Sequence, residues 1–555
     1  MSGVYNNSEF KKTVKIKFSA LKNVREFASL LNFVEQEVFN STQELYPITF
    51  SHLYFISKTK EIRYLKFHIS KKNGGLREIK TPDKVLMRIQ NLINIVLQII
   101  FEESAHYCSN GFIIGRDIKR NALPHVSKKF VLNLDIENFF PSINFRRVKT
   151  VLELSPFSLC EHREKVAFLM ANLLTHNDSL PQGAPTSPIV SNIVTQNLDR
   201  KISKFCIQNG VKYSRYADDL SFSCNRAVLD EDFITELSKI INSENFKLND
   251  EKTRIRNQAQ SQEVTGLIVN RKVNVSRDYL QKTRAMLNNW EKGGLDFAIS
   301  VFKQHQPLNR QSYNFKNVLR GQLAYITLIK GKDNLMAKNL RKKYLFLDNL
   351  INYEFLKEKT LKTRLQVDNR KMEMIYFEGN RNNDDNFISF CTCAFHQIEN
   401  MINYLYWKKF KNFDDLLIEL LTKNPNFSKR YKNNLEKAKS SFSQINRLNI
   451  NVLVFLYEKD FFFDKGIFYD KHLTMLREIR NDESHRCSVI NVDKDKIQNE
   501  YKNLQEKGED NKIKKEVRER IELNYKVLLF LEEKNYNKVR TDLKNLVMNI
   551  QKYFE

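Results

Sequence analysis

The sequence predicts a mixed α+β unit followed by an all-α one. Two observations carry this. Twelve of the 15 glycines lie at or before Gly331 and nine of the 10 prolines at or before Pro307, so turn-rich structure gives way to long helices. Short β-prone stretches running into acidic residues are confined to the first part, whereas residues 387–555 carry a helical period almost throughout. A length of 555 residues exceeds what one hydrophobic core organises, so at least two domains are expected. With 41% hydrophobic and 12% aromatic residues, wholesale disorder is excluded.

Taken in order, helical patterns cover Lys84 to Phe101, Arg163 to Leu174 and Ser187 to Gln208. The stretch Lys129 to Leu134 is β-prone and runs into Asp135. Lys212 to Ser214 and Leu220 to Ser223 read as two short strands around a tight polar pair. Arg277 to Trp290 and Phe315 to Leu350 are further helical patterns. Glu378 to Asn386 is polar, lacks an apolar period and reads as a linker.

The 91 Lys and Arg against 65 Asp and Glu leave a net charge of +26. Such a surplus points to a polyanionic partner, nucleic acid first, because neutralising phosphates releases counterions. No apolar run reaches the length of about 18 residues that spanning a bilayer takes, and Asn94 to Phe101 reads as a buried helix segment. The first residues lack the apolar region of a signal peptide. The seven cysteines are scattered, which suits a reducing cytoplasm. A cytoplasmic location without a membrane partner is therefore expected.

The sharpest chemical signal is Tyr216-Ala217-Asp218-Asp219 between two β-prone stretches. Adjacent carboxylates at a hairpin turn repel, and a divalent cation such as Mg²⁺ relieves that repulsion while keeping positions for phosphate oxygens. Asp135, closing an apolar strand, is expected to meet the pair at one sheet edge, where three carboxylates hold two ions for phosphoryl transfer. Between them lies Leu180-Pro181-Gln182-Gly183-Ala184-Pro185-Thr186-Ser187-Pro188, where Gly183 permits close backbone approach and Ser187 is the N-cap candidate.

Strand-end Asp135, then Pro181-Gln182-Gly183, then Tyr216 to Asp219 resembles the order of motifs in reverse transcriptases, specifically the bacterial retron-type branch. Asn110-Gly111-Phe112 with Gly115-Arg116, Asn121-Ala122-Leu123-Pro124-His125 and Val264-Thr265-Gly266 resemble further marks of that branch. The resemblance covers about residues 60 to 350. It implies an α+β right-hand polymerase of fingers, palm and thumb, followed by an all-α C-terminal domain. The implied division is an N-terminal extension over 1–60, fingers and palm over 61–263, a helical thumb over 264–350, a connector and linker over 351–386, and a C-terminal domain over 387–555.

It also implies roles. Asp135, Asp218 and Asp219 would be the metal ligands, for Mg²⁺ or Mn²⁺. Phe140 would exclude a ribose 2′-OH, with ordinary core packing as the competing reading that it shares with Phe139. Gln182 and Tyr216 would lie near the incoming nucleotide. Lys71, Lys72 and Arg77 would grip the triphosphate, Arg77 being the stronger candidate because guanidinium binds phosphate bidentately. Lys252 would stand near the leaving pyrophosphate as a proton donor.

In the C-terminal part, Arg480-Asn481-Asp482-Glu483-Ser484-His485 resembles the R-N-x-x-x-H motif of HEPN domains, helical dimerising modules found in RNases. That resemblance implies phosphate stabilisation by Arg480, proton movement by His485, local geometry set by Asn481, and a homo-oligomer. Phe387 to Phe410 would be an early helix of that bundle, with Glu399 as a polar partner. Cys391 and Cys393 lack a second matching pair and read as core. The expected function is RNA-directed DNA synthesis from dNTPs on a cognate structured noncoding RNA, in antiphage defence. A retron enzyme making a 2′-OH-primed RNA–DNA hybrid is the near alternative. An RNA-cleaving effector that uses the polymerase core as a sensor is the distant one.

Overall fold

A computed structural model describes residues 7–39, 46–70, 75–306, 312–410, 415–416, 418–419, 422, 457, 475–476, 478–479, 494–506 and 515–555. They fall into two compact units, Met1–Ala285 with Gly321–Ala337, and Met286–Arg320 with Lys338–Glu555.

The first unit begins with α1 (Ser8–Ser19), α2 (Val24–Phe39) and α3 (Phe50–Thr59). An antiparallel ribbon follows, β1 (Tyr64–Ser70) and β2 (Leu76–Pro82), in which Phe67 faces Ile79 and Ile69 faces Arg77. Then come α4 (Lys84–Phe101), α5 (Ile118–Ala122), β3 (Phe130–Asp135), α6 (Phe145–Glu153), α7 (Glu164–Leu174), α8 (Ser187–Val194) and α9 (Gln196–Gln208). The hairpin β4 (Lys212–Tyr216) and β5 (Asp219–Cys224), α10 (Glu231–Ser243) and β6 (Arg254–Asn257) complete the central part. A small pair, β7 (Glu263–Val264) and β8 (Leu267–Ile268), comes next. The main sheet has the order β4-β5-β3-β6, with every neighbouring pair antiparallel.

Side chains from α1, α2, α4, α7, α8, α9 and α10 share one hydrophobic core with Leu132, Leu134, Leu220 and Phe222 of the sheet. Short polar residues start these helices: Asp83, Asn144 and Asp230 accept the backbone N–H of Leu86, Arg147 and Phe233. By length and composition α4 passes as a membrane-crossing helix. Its apolar residues Leu86, Leu92, Ile93 and Val96 are nevertheless buried in the core of this unit.

Two expected helices are broken, and a third runs on past its expected end. Ser187 to Gln208 divides at Thr195 into α8 and α9. The helix from Arg277 continues to Gln304 as α11 (Arg277–Gln304), interrupted at Gly294, where φ is 80°. Phe315 to Leu350 divides into α12 (Phe315–Lys330) and α13 (Leu335–Asn349) at Gly331, where φ is 96°. Positive φ is open to glycine, so both breaks fall where the chain can turn at least cost. The boundary between the two units falls within α11, α12 and α13, not at residues 378–386.

The second unit continues with α14 (Lys359–Glu378) and α15 (Asp384–Lys409), then α16 (Lys494–Glu506), α17 (Lys515–Glu533) and α18 (Tyr536–Phe554). The expected linker at Glu378 to Asn386 is a helix–helix turn instead. Leu365 and Met372 before it share one core with Phe387, Phe390 and Phe395 after it. Asn383 caps α15 there, and such a turn has the same polar, glycine-containing composition as a linker. Glu373 and Arg540 form a buried ion pair in this core at 2.9 and 2.7 Å. Burial raises the Glu373 pKa against the opposing pull of Arg540.

Candidate active site

Strand register brings the acids together. Asp135, the last residue of β3, faces Asp219, the first residue of β5. Tyr216 also faces Asp219 across β4 and β5, leaving Ala217 and Asp218 as a two-residue turn. Ala217 takes a φ of 56°, the left-handed region such tight turns use. The Ile136 N–H donates to the Asp218 carbonyl at 3.0 Å, which ties the turn to the end of β3. On the other side of β3, the Asn249 N–H donates to the Asp135 carbonyl at 2.9 Å. The chain then enters the short 3-10 turn Asp250–Lys252. This path delivers the Lys252 ammonium to both carboxylate oxygens of Asp135, each at 2.8 Å.

The carboxylates crowd one another. Burial and then the Asp135 charge raise the Asp218 pKa, with Lys252 and Arg77 opposing. Asp219 is open to solvent at the strand end but walled by protein on its other sides. Desolvation, and then the charges of Asp218 and Asp135, push its pKa from 3.8 up to about 6. Among the described residues, no three acidic, histidine or cysteine side chains close around a common point. Asp135 is turned onto Lys252, the nearest counter-charge.

The remaining expected residues are distributed around this cluster. Phe139 is buried in the core, whereas Phe140 is only partly buried, with the two ring centroids 5.4 Å apart. Arg77 on β2 is exposed, and its charge reaches Asp218. The Gln182 carbonyl accepts the Lys80 N–H at 2.7 Å, so the Pro181 to Gly183 loop docks on β2. A Cβ at Gly183 would lie 2.8 Å from the Lys80 carbonyl oxygen, and its φ is 127°. The close approach expected of Gly183 is thus made to the chain's own strand. Ser187 does not cap α8; its hydroxyl donates to the Pro181 carbonyl at 2.7 Å and closes the loop. Lys71, Lys72, Arg480, Asn481 and His485 lie outside the described residues.

A group that the sequence reading passed over lies directly beneath the turn. Arg215 is completely buried, and all five of its N–H groups are used. They donate to both oxygens of Asp199 at 2.8 and 2.6 Å, to Asn192 at 3.0 Å, to the Ala217 carbonyl at 3.1 Å and to Ser109 at 2.9 Å. Burial works against the guanidinium charge, but Asp199 holds its pKa above the ordinary value. The Tyr213 hydroxyl also donates to Asp199, at 2.9 Å. Strand alternation was the available signal: Arg215 shares a face with the apolar Tyr213 and Ala217.

Residues 69–269 match the reverse transcriptase (RNA-dependent DNA polymerase) family. The chain is 34% identical to the retron Mx65 reverse transcriptase of Myxococcus xanthus, over 40% of this chain and 55% of that protein. It is 33% identical to the retron Mx162 reverse transcriptase of the same species, over 41% of this chain and 53% of that protein. The chain thus spans about half the length of these two relatives. With the retron Ec86 reverse transcriptase of Escherichia coli it shares 31% identity over 45% of this chain and 80% of that protein. The chain belongs to the retron-type reverse transcriptases. A solved telomerase structure from Candida tropicalis aligns with 39% of this chain and 55% of its own at 14% identity and a TM-score of 0.30.

The retron-type marks noted in the sequence form one buried network behind the β4–β5 hairpin. Asn110 donates to Asn121 at 3.1 Å, and Asn121 donates to Thr265 at 3.0 Å. His125 bridges the Ser223 and Ser214 hydroxyls at 2.7 and 2.8 Å, joining β5 to β4. Burial pushes the His125 pKa down to about 3, so the imidazole is neutral and uses one nitrogen as donor and one as acceptor. Gly111 lets this layer reach the turn, since a Cβ there would lie 2.8 Å from the Ala217 nitrogen.

Two outcomes follow from the charges. Because the Asp219 pKa is raised, the folded state holds a proton that the unfolded chain releases. That stability is present below about 3.8 and is lost as pH rises through about 6. Asp219→Asn should therefore melt above the wild type at pH 8, with the gap closing as pH falls through about 6. A thermal-melt series across pH checks this, and a gap independent of pH would contradict it. Arg215→Ala leaves Asp199 buried without its partner and should cost about 3–5 kcal/mol in urea unfolding. Combining it with Asp199→Asn should recover part of that loss.

Proposed function

We propose that the chain copies a structured noncoding RNA into DNA, joining dNTPs by metal-assisted nucleotidyl transfer, in bacterial antiphage defence. The observation that carries this reading is the register of Asp135 opposite Asp219, with Asp218 in the adjoining turn. A sheet edge that gathers three carboxylates and raises the pKa of two of them needs cationic charge, and Lys252 already supplies part of it. The donor set is all oxygen, which fits Mg²⁺ and also Mn²⁺.

Asp135, Asp218 and Asp219 would hold the divalent ions. Held there, such ions would supply positive charge to the reacting phosphate oxygens. The chain's own residues do the rest. Arg77, exposed on β2 with its charge directed at the acids, draws the triphosphate toward them. Tyr216, its ring 5.8 Å from Phe112, walls the site beside the turn. Gln182, on a loop held to β2, positions the nucleotide opposite its template. Phe140, one turn beyond Asp135 and only partly buried, excludes a ribose 2′-OH. Lys252 stands beside Asp135 as a cation for the leaving pyrophosphate and the proton it needs.

This reading extends to the C-terminal part, where Arg480, Asn481 and His485 would form a HEPN-type element that meets RNA and pairs chains into an oligomer. The near alternative is a retron enzyme whose product stays joined to its RNA, primed from a 2′-OH.

Asp218→Asn with Asp219→Asn should abolish Mg²⁺-dependent dNTP incorporation while the protein stays folded. Wild-type synthesis by that double variant would overturn the assignment. Phe140→Ala should raise ribonucleotide incorporation relative to deoxynucleotide in a primer-extension assay. An unchanged ratio in the folded variant would return Phe140 to core packing.

A further inference from the structure

Away from the acids, the first unit carries a groove of about 310 Å³ lined by His106, Tyr107, Arg200, Ser203, Lys204, Ile207 and Gln208. One wall is the segment after α4, the other the outer face of α9. Its components are unusual together. Tyr107 is 61% exposed, and Ile207 is 69% exposed. The His106 and Tyr107 ring centroids are 4.5 Å apart at 36°, giving a small aromatic shelf. Arg200 and Lys204, four residues apart on α9, project from one helix face. Both are exposed, and neither makes an ion pair among the described residues. By contrast Lys201 on the same helix pairs with Glu244 at 2.6 Å.

The shelf is also rigid. Arg116 donates to the carbonyls of Ala105, His106 and Ser109 at 3.0, 2.5 and 2.6 Å. Gln196 donates to the Ser104 carbonyl. The backbone on both sides of Tyr107 is therefore fixed, and its ring is held out in water rather than left to fold back. Ser203 is only 4% exposed, and its hydroxyl has no hydrogen-bond partner of normal geometry among the described residues. The Cys108 thiol beside it is a weak partner at best.

We propose that this groove binds one unpaired nucleotide of the RNA partner, with the base on Tyr107 and Ile207 and the phosphate between Arg200 and Lys204. A preorganised exposed ring beside two unpaired cations matches the way single strands are held, by stacking plus backbone charge. An acidic protein segment would satisfy the cations but leave the flat shelf without a planar partner. Gln208, exposed at the groove's end, offers hydrogen-bonding groups to the base edge. The proposal rests on the reading of the chain as an RNA-templated polymerase and adds an RNA contact on α9, outside the carboxylate cluster.

The test uses the full chain freed of co-purifying nucleic acid and a fluorescein-labelled single-stranded RNA of mixed sequence. Tyr107→Ala should weaken binding about tenfold, the scale of one lost base stack. Tyr107→Phe should bind as the wild type, since stacking does not use the hydroxyl. Arg200→Gln with Lys204→Gln should reduce the slope of log affinity against log salt by about 0.7, the share of the one phosphate held between them on a single strand. Ultraviolet crosslinking of 4-thiouridine RNA should mark the peptide that carries Tyr107. Extension of a saturating annealed primer–template should proceed at the wild-type rate in all three variants. Wild-type affinity and salt slope in Tyr107→Ala and the double variant, with crosslinks elsewhere, would overturn the proposal. Loss of primer extension in the wild type would instead count against the polymerase reading, because affinity and crosslinks report on the groove separately.

Discussion

The Tyr216–Asp219 turn depends on a charge that never meets solvent. Asp218 and Asp219 repel each other and Asp135, so the hairpin that carries them is under electrostatic pressure to open. Arg215 resists it from behind. Its guanidinium reaches the Ala217 carbonyl within the turn and joins it to α9 through Asp199, to α8 through Asn192 and to the Ser109 segment. A buried ion pair is poor evidence of stability when its polar groups are left unsatisfied. Here every donor has an acceptor, so the desolvation cost is offset and the geometry is specified.

The two sides of the hairpin therefore differ in kind. The front collects carboxylates, of which Asp219 changes protonation near pH 6. Behind it, next to the closed Arg215–Asp199 pair, a layer of amides, hydroxyls and a neutral imidazole holds β4 to β5. Burial disfavours a charged His125, with the nearby Lys128 charge adding to it, which is why its pKa is driven so low. The frame stays constant over the range in which the front titrates. A site that must bind and release phosphates benefits from a support that does not respond to the same charges.

Much of the site was legible because its acids are compact in sequence. Asp218 and Asp219 are adjacent, Asp135 ends a recognisable strand, and the strands flanking the pair have clear period-2 character. The register that places Asp135 opposite Asp219 was not legible, since it depends on β5 inserting between β4 and β3. Arg215 and Asp199 were missed for a related reason. A lone arginine in a strand and a lone aspartate on a helix each read as solvated until tertiary packing buries them together. The breaks at Thr195 and Gly331 lie inside continuous helical periods, so hydrophobic pattern alone runs through them. Polar composition at 378–386 suggested a linker, whereas the apolar faces of α14 and α15 decide that the chain folds back there.

One contact has a consequence for how such sites can diversify. Ala217 is buried, and Gly111 faces its backbone so closely that a Cβ would lie 2.8 Å from the Ala217 nitrogen. Any side chain at 111 must displace the turn, because the atoms it would meet are the backbone of Tyr216 and Ala217. A smaller residue at 217 would not relieve that clash, so the Gly111 segment constrains the path of the turn and not the volume of its side chains. A chimera that takes the hairpin from one parent and the Gly111 segment from another must therefore keep glycine at 111, whatever residue stands at 217.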